Sequence, residues 1–310
     1  KEKSTVEEES PTIREMFKAL ISNDQAMTVV IVIVLINTSL YVTSNLLIYF
    51  FKYDLGGTNW NANYTLFNAF GGGIQILSMM ILYPFLRRFI NSIQVFYLSF
   101  IMAIGGFFLL LGIMFTGFSS VYIFLIPGFL IFAAFGMLTV LTTVFLANTV
   151  DYGELKNKRR DESVIFSMQT FVVQLASGVS AFIASICLTV FKISKEAQTA
   201  KLSTYSAIGL RTTMTIIPIA GLLIAVFIFY KKYILTDERL KEIHVMMFNI
   251  IIENAKEFSS EVDITILEII RDNYDLLSSL SKGFDNKLIP LIKSFRNLID
   301  INVGLYGNEP

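Results

Sequence analysis

Cysteine, histidine and charge are scarce in this chain of 310 residues: it holds one cysteine, Cys187, and one histidine, His244, and only 16% of its residues are charged. Soluble domains carry roughly 25% charged residues, so the composition does not fit a typical cytosolic enzyme, a disordered tail or a coiled coil. The lone cysteine excludes a disulfide framework and any multi-thiolate metal site. The lone histidine excludes the usual His-rich zinc sites. With 25 basic and 25 acidic residues the formal charge is zero, which lacks the basic footprint of a nucleic-acid binder. What the chain has in place of charge is apolar surface, 54% of its residues being hydrophobic.

The charge-free segments fall at 25–51, 55–86, 89–150, 163–191 and 212–230. A helix needs about 20 apolar residues to cross a hydrocarbon core of about 30 Å. Each segment holds at least one crossing. The longest is interrupted by a turn-like cluster, Thr116, Gly117, Phe118, Ser119 and Ser120, and reads as two. Six spans are therefore expected, at 26–51, 63–86, 91–115, 120–148, 163–191 and 207–230. A signal peptide is not expected, because the first apolar run follows an acidic, polar arm and is too long for an h-region. The chain begins at Lys1 rather than Met, which raises the expectation of residues upstream. Basic residues in short loops favour the cytoplasmic side. Arg87 and Arg88, then Lys156, Lys158, Arg159 and Arg160, then Lys231 and Lys232 would share that side, with both termini. Lys52, Lys192, Lys195, Lys201 and Arg211 would lie toward the opposite side. The expected location is the plasma membrane.

Polar residues within a span are costly and face protein or a water-filled cavity. In the fifth span Ser163, Ser167, Thr170, Gln174, Ser177, Ala181 and Ser185 recur every three or four residues, which puts them on one face. The first span has Asn37, Tyr41 and Asn45 at helical spacing, the second Asn68, Gly72 and Gln75, and the fourth Thr139, Thr142 and Thr143. The third and sixth spans offer little that is polar. Helices one, two, four and five are thus expected to border a pathway, and three and six to be peripheral. The other reading is that small and polar residues glue helices together in lipid, which applies best to Ser177, Gly178 and the run Gly71-Gly72-Gly73. That run sits inside an apolar span and has no Lys-Ser/Thr after it, so it is not a phosphate loop.

Between residues 26 and 230 every acidic side chain, Asp54, Asp151, Glu154, Asp161, Glu162 and Glu196, falls in a loop or at a helix end. An intramembrane cation relay normally uses a buried carboxylate, so no ion or metal site is expected within these spans, and no cofactor. No buried Asp pair, His-Glu-x-x-His or Ser-His arrangement offers enzyme chemistry. The chain does not read as an enzyme.

Asp151-Tyr152-Gly153-Glu154-Leu155-Lys156, the basic run to Arg160, Glu162-Ser163, and Ser167-Met168-Gln169-Thr170-Phe171-Val172-Val173 resemble the loop and eleventh helix of the glycoside-pentoside-hexuronide:cation symporters. These form the melibiose-permease-like branch of the major facilitator superfamily. Tyr49-Phe50-Phe51-Lys52-Tyr53 with Gly56, and Tyr233 followed by Leu235-Thr236-Asp237-Glu238-Arg239-Leu240-Lys241-Glu242-Ile243, extend the resemblance over roughly residues 12–245. The resemblance implies an all-α membrane protein whose six helices are the C-terminal bundle of the major facilitator fold, with 1–25 as the end of a central cytoplasmic loop. It implies a central cavity bordered by helices seven, eight, ten and eleven, which are one, two, four and five here. It also implies a coupling cation, Na+ or H+, held by carboxylates of an N-terminal six-helix half, with the sugar between the halves.

Residue by residue, the family's sugar-proximal Gln-Thr pair falls on Gln169 and Thr170. Gln174 stands where the melibiose permease has a lysine, and Thr139 where it has a tryptophan near the sugar. Gln174 can hydrogen-bond hydroxyls but supplies no charge, and Thr139 cannot stack on a sugar ring. Thr142, Tyr41 and Asn45, from the polar stripes, complete the candidate substrate-binding set. Asp151, Glu154, Lys156, Arg159 and Arg160, in the loop expected at 151–162, are candidates for a cytoplasmic gate that pairs with the other half; alternatively the basic residues only set topology.

The tail at 231–310 is far richer in charge. Leu240, Ile243, Met247, Ile250, Asn254 and Phe258 follow a helical spacing, and further helices are expected at 262–281 and 285–300, the last interrupted by Pro290. A cytosolic helical appendage of this size has a marginal core and would dock on the bundle, self-associate or take a regulatory partner. The pattern does not resemble the strand-rich phosphotransferase domain that ends some family members, and His244 is not assigned its active-site role. The expected function is cation-coupled symport of a sugar or glycoside by alternating access, with the bilayer and the N-terminal half as partners. The alternatives are a major-facilitator-like sensor or lipid-type transporter, and a membrane scaffold acting through the tail; a scaffold would pack its polar stripes internally and leave no cavity.

Overall fold

The computed structural model describes residues 20–117, 120–157, 162–193 and 202–255. Among these, six helices are long and apolar enough to cross a membrane: α1 Asp24–Leu55, α2 Trp60–Leu86, α3 Ser92–Phe115, α4 Val121–Asn157, α5 Glu162–Val190 and α6 Thr204–Lys232. No strand occurs among the described residues.

Local chemistry accounts for where several of them begin and bend. Asn23 caps α1, its side-chain oxygen accepting from the Ala26 N–H at 3.0 Å. Asn91 and Gln94 form a reciprocal capping box at the start of α3. Ser203 accepts from the Ser206 N–H to open α6. Such caps satisfy amide groups that the first turn leaves without partners. In α2 the α-helical ladder widens into a π segment, Ser78–Leu82, just before Pro84. Proline has no N–H to give to the carbonyl four residues back and its ring crowds that carbonyl, so the widened turn is the local accommodation. The end of α1 is also a π segment, Phe50–Leu55, stopped by Gly56 at φ 67.

The most consequential departure from the sequence-based spans is α4. It runs to Asn157 rather than stopping near 148, so Asp151, Glu154 and Lys156 stand on a helix and not in a loop. The residue that precedes α1 packs against those last turns. Asn23 donates to the Thr149 carbonyl at 2.7 Å, and Gly153 leaves room for the Asn23 amide, which a side chain there would strike.

α1 lies between α5 and α6 and also touches α4; α4 lies against α2 and α3, and α3 packs on α6. Without a hydrophobic drive between helices in lipid, close fit and hydrogen bonds must hold them. Phe96 of α3, Phe145 of α4 and Phe229 of α6 meet with ring centroids 4.2 to 5.1 Å apart, and Tyr233 stacks on Phe229 at 4.4 Å. Thr43 of α1 donates to the Met214 carbonyl of α6 at 2.8 Å. Residues 237–310 form a second compact unit; within it α7 covers Asp237–Ala255. The helices expected at 262–281 and 285–300 lie outside the described residues.

Candidate substrate cavity

A cavity of about 440 Å³ opens among α1, α2, α4 and α5, and neither α3 nor α6 contributes to its walls. Its polar lining is Asn37, Tyr41 and Ser44 from α1, Gln75 from α2, Thr139 and Thr142 from α4, and Gln169 from α5. Ile33, Ile36, Leu40, Phe132, Phe135 and Val173 supply the apolar walls. No lining residue is charged. The four helices are those that carry polar stripes in the sequence.

Three of these seven polar groups are oriented by their own helices. Thr139 donates to the Phe135 carbonyl at 2.8 Å, and Thr142 to the Leu138 carbonyl at 2.8 Å. Asn37 gives one amide hydrogen to the Ile33 carbonyl at 2.9 Å. A threonine hydroxyl bonded this way keeps lone pairs as acceptors, and asparagine keeps its carbonyl oxygen and a second N–H. Gln169 donates to the Thr143 hydroxyl at 3.0 Å, tying α5 to α4 across the cavity edge. The site therefore offers neutral donors and acceptors beside apolar patches. That composition suits a polyhydroxylated solute with C–H faces.

Of the candidates from sequence, Tyr41, Thr139, Thr142 and Gln169 come together here, and Asn45, Thr170 and Gln174 do not. Asn45 donates to the Ser180 hydroxyl at 3.1 Å and so joins α1 to α5. Thr170 is one residue on from Gln169, a rotation of about 100° on a helix. With Gln174, Ser177 and Ser185 it lies on an exposed face of α5, while Met168, Val172, Ala176 and Ser180 are buried. Nine lining residues were absent from the candidate set, among them Asn37, Ser44, Gln75 and Phe132. Ser44 continues the spacing of Asn37 and Tyr41, so its signal was present, as were those of Asn37 and Gln75. Phe132 is one phenylalanine among several in an apolar span, and only the packing distinguishes it.

At one end of the bundle, Lys156 bonds Asp24 at 2.6 Å, both about half exposed, and the Tyr152 hydroxyl lies 3.3 Å from the same carboxylate oxygen. Gln25 donates to the Lys232 carbonyl at 3.2 Å and accepts from the Ile234 N–H at 3.0 Å. The first residues of α1 thereby fasten the ends of α4 and α6. Of the candidate gate residues, Lys156 is thus engaged within the chain, Glu154 is buried at 8% exposure, and Asp151 is half-buried. Arg159 and Arg160 lie outside the described residues. At the opposite end Arg211 clasps Asp54 and the Met114 carbonyl, a joint of α6, α1 and α3 that helix spacing alone did not foretell.

A family pattern described as MFS/sugar transport protein matches residues 1–237. The chain is 28% identical over 236 residues to a lactose permease of Lactobacillus delbrueckii subsp. bulgaricus, covering 76% of this chain and 36% of that protein. It is 24% identical over 231 residues to a raffinose carrier protein of Pediococcus pentosaceus, covering 74% and 35%. An uncharacterized symporter of Bacillus subtilis is 26% identical over 239 residues, covering 76% and 49%. The chain thus spans about a third to a half of the length of these relatives. Six apolar helices, a neutral polar cavity among four of them and a pattern covering the whole bundle converge: the chain is a multi-pass membrane protein and belongs to the MFS/sugar transport protein family, in the glycoside-pentoside-hexuronide symporter branch that its fifth helix resembles.

Proposed function

We propose that this chain forms the C-terminal half of a cation-coupled sugar symporter and that the cavity among α1, α2, α4 and α5 is its share of the substrate site. The observation that carries the reading is the lining: seven neutral polar side chains and no charge, against aromatic and aliphatic walls. A sugar entering from water gives up many hydrogen bonds, and leaving them unmade is costly. Asn37, Gln75 and Gln169 supply both donors and acceptors, and the threonine oxygens supply acceptors. The names of the relatives, a lactose permease and a raffinose carrier, favour a glycoside as the solute.

In this reading the coupling cation, Na+ or H+, is taken by carboxylates of the N-terminal half, and transport proceeds by rocking one half against the other around a midplane site. The exposed polar face of α5, with Thr170 and Gln174, is turned to that half and to the solute between them. The end that carries Lys156 is cytoplasmic, as are both termini. Gate contacts to the other half are assigned to this end of the bundle, with Arg159 and Arg160 as the cations and Lys156 held by Asp24. The tail at 237–310 serves association with a cytosolic partner or a second copy. A membrane scaffold calls for polar stripes packed internally with no cavity, and the open cavity and exposed α5 face weigh against it.

Uptake of radiolabelled lactose and raffinose by cells lacking their own carriers, expressing the full-length protein, tests the reading. Concentrative uptake that collapses when the cation gradient is removed is expected. Saturable binding without any uptake would instead indicate a sensor.

A further inference from the structure

α2 and α4 meet along three rungs in which a bulky group on one helix faces glycine on the other. Phe67 lies against Gly128, where an added Cβ would be 3.1 Å from its ring. Phe132 lies against Gly71, where an added Cβ would collide with the ring. The Gln75 carbonyl lies against Gly136, where an added Cβ would be 2.5 Å away. The rungs advance by four residues on both helices, so they share one face of each. In the middle rung the bulky residue comes from α4, and its ring reaches across to α2.

That ring also borders the cavity. Phe132 is half-buried and meets Phe67 edge to face at 5.6 Å. Contact with Gly71 and Phe67 fixes the ring plane and leaves the remaining surface to the cavity. Of the two other aromatic residues in the lining, Phe135 is 1% exposed and engaged with Phe107 of α3, so it presents little surface, while Tyr41 borders the cavity from α1. Gln75 follows Gly71 by one turn on the same face of α2 and lines the same cavity. Its side-chain amide makes no hydrogen bond among the described residues, while its backbone is held against Gly136. A rigid aromatic surface beside an uncommitted amide matches a pyranose, which has an apolar C–H face and a rim of hydroxyls. Lipid is a poor alternative occupant, because it would leave the amide unsatisfied.

We propose that Phe132 is the ring-stacking residue of the sugar site and that Gln75 binds hydroxyls at the rim of the same sugar ring, so that the pair selects cyclic sugars over open-chain polyols. This rests on the sugar-transport reading. It deepens that reading by assigning selectivity to α2 and α4.

The test is equilibrium binding of lactose, raffinose and galactitol to the purified full-length protein. Wild type is expected to prefer lactose or raffinose to galactitol, which has hydroxyls but no ring face. Phe132→Leu should lower affinity for the favoured sugar about tenfold, leave galactitol unchanged, and so erase the preference; Phe132→Tyr should keep it. Gln75→Leu should weaken all the ligands that bind. A folded Phe132→Leu protein that retains wild-type affinity and preference overturns the assignment while leaving sugar transport intact. Wild type that binds neither lactose nor raffinose overturns both. Should Phe132→Leu not reach the membrane, Phe132→Met takes its place: loss of the preference for lactose or raffinose over galactitol supports stacking, and a retained preference overturns it.

Discussion

Arg211 holds Asp54 through two parallel hydrogen bonds, Nε to Oδ2 and Nη2 to Oδ1, each 2.7 Å, and its Nη1 donates to the Met114 carbonyl at 2.7 Å. The carboxylate is 4% exposed and the guanidinium 24%. One planar fork thus ties the end of α1, the end of α3 and the first turns of α6. Replacing Arg211 with alanine leaves a buried carboxylate without its cation, a change that costs about 3–5 kcal/mol when a buried pair is broken. The expected result is a large fall in melting temperature of the detergent-purified protein, partly restored in the Asp54→Ala, Arg211→Ala double variant. Lysine at 211 should rescue little, because a point charge cannot reproduce the fork.

Gly136 and Gly72 predict opposite outcomes for the same substitution. A Cβ at Gly136 would sit 2.5 Å from the Gln75 carbonyl oxygen and 3.0 Å from the Ser78 Cβ, whereas a Cβ at Gly72 meets nothing within 4 Å. Gly136→Ala should destabilise by about 1–3 kcal/mol, the usual range for overpacking. Gly72→Ala should leave the melting temperature unchanged or slightly raised, alanine being the better helix former.

Gln169 and Asn45 separate site from scaffold. Gln169→Leu removes an amide from the cavity wall and its bond to Thr143, and should lower lactose or raffinose affinity about tenfold or more. Asn45→Ala removes a tie from α1 to α5 outside the cavity walls and should cost about 1 kcal/mol of stability with unchanged affinity. Binding isotherms and thermal melts on the same preparations read both quantities.

At the Lys156 end, the exposed pair with Asp24 and the buried Asn23 contacts differ in weight. Lys156→Ala should cost at most about 1 kcal/mol, less at high salt, as solvated ion pairs do. Asn23→Ala removes the cap of α1 and the bond to the Thr149 carbonyl together, and should cost about 2 kcal/mol. Denaturation at low and high salt distinguishes them, since only the lysine variant should converge with wild type as salt rises.

Helix number and the four cavity-lining helices were legible because lipid punishes charge and polarity so strictly that their spacing marks what faces away from it. Tyr41, Thr139, Thr142 and Gln169 were found on that signal or on resemblance. Thr170 and Gln174 carry the same signal, yet they lie on the next strip of α5, and periodicity alone cannot resolve a rotation of about 100° within a broad polar face. The end of α4 was misjudged because Asp151, Glu154 and Lys156 read as loop charges. What keeps that stretch helical is long-range, the contact of Asn23 with Thr149 and Gly153. Phe132 was invisible for a related reason, its importance residing in Gly71 and Phe67 on another helix.

The three rungs between α2 and α4 also restrict how this bundle can move. Two parallel helices joined by alternating bulges and notches resist sliding: a displacement short of a whole turn, about 5.4 Å, drives Phe132 out of its notch. Tilting apart would open all three rungs at once. The two helices therefore travel as one strut, carrying Phe132 and Gln75 at constant separation. Any change in the width of the cavity must come from α1 or α5, whose joint across its edge to α4 includes the Gln169–Thr143 hydrogen bond.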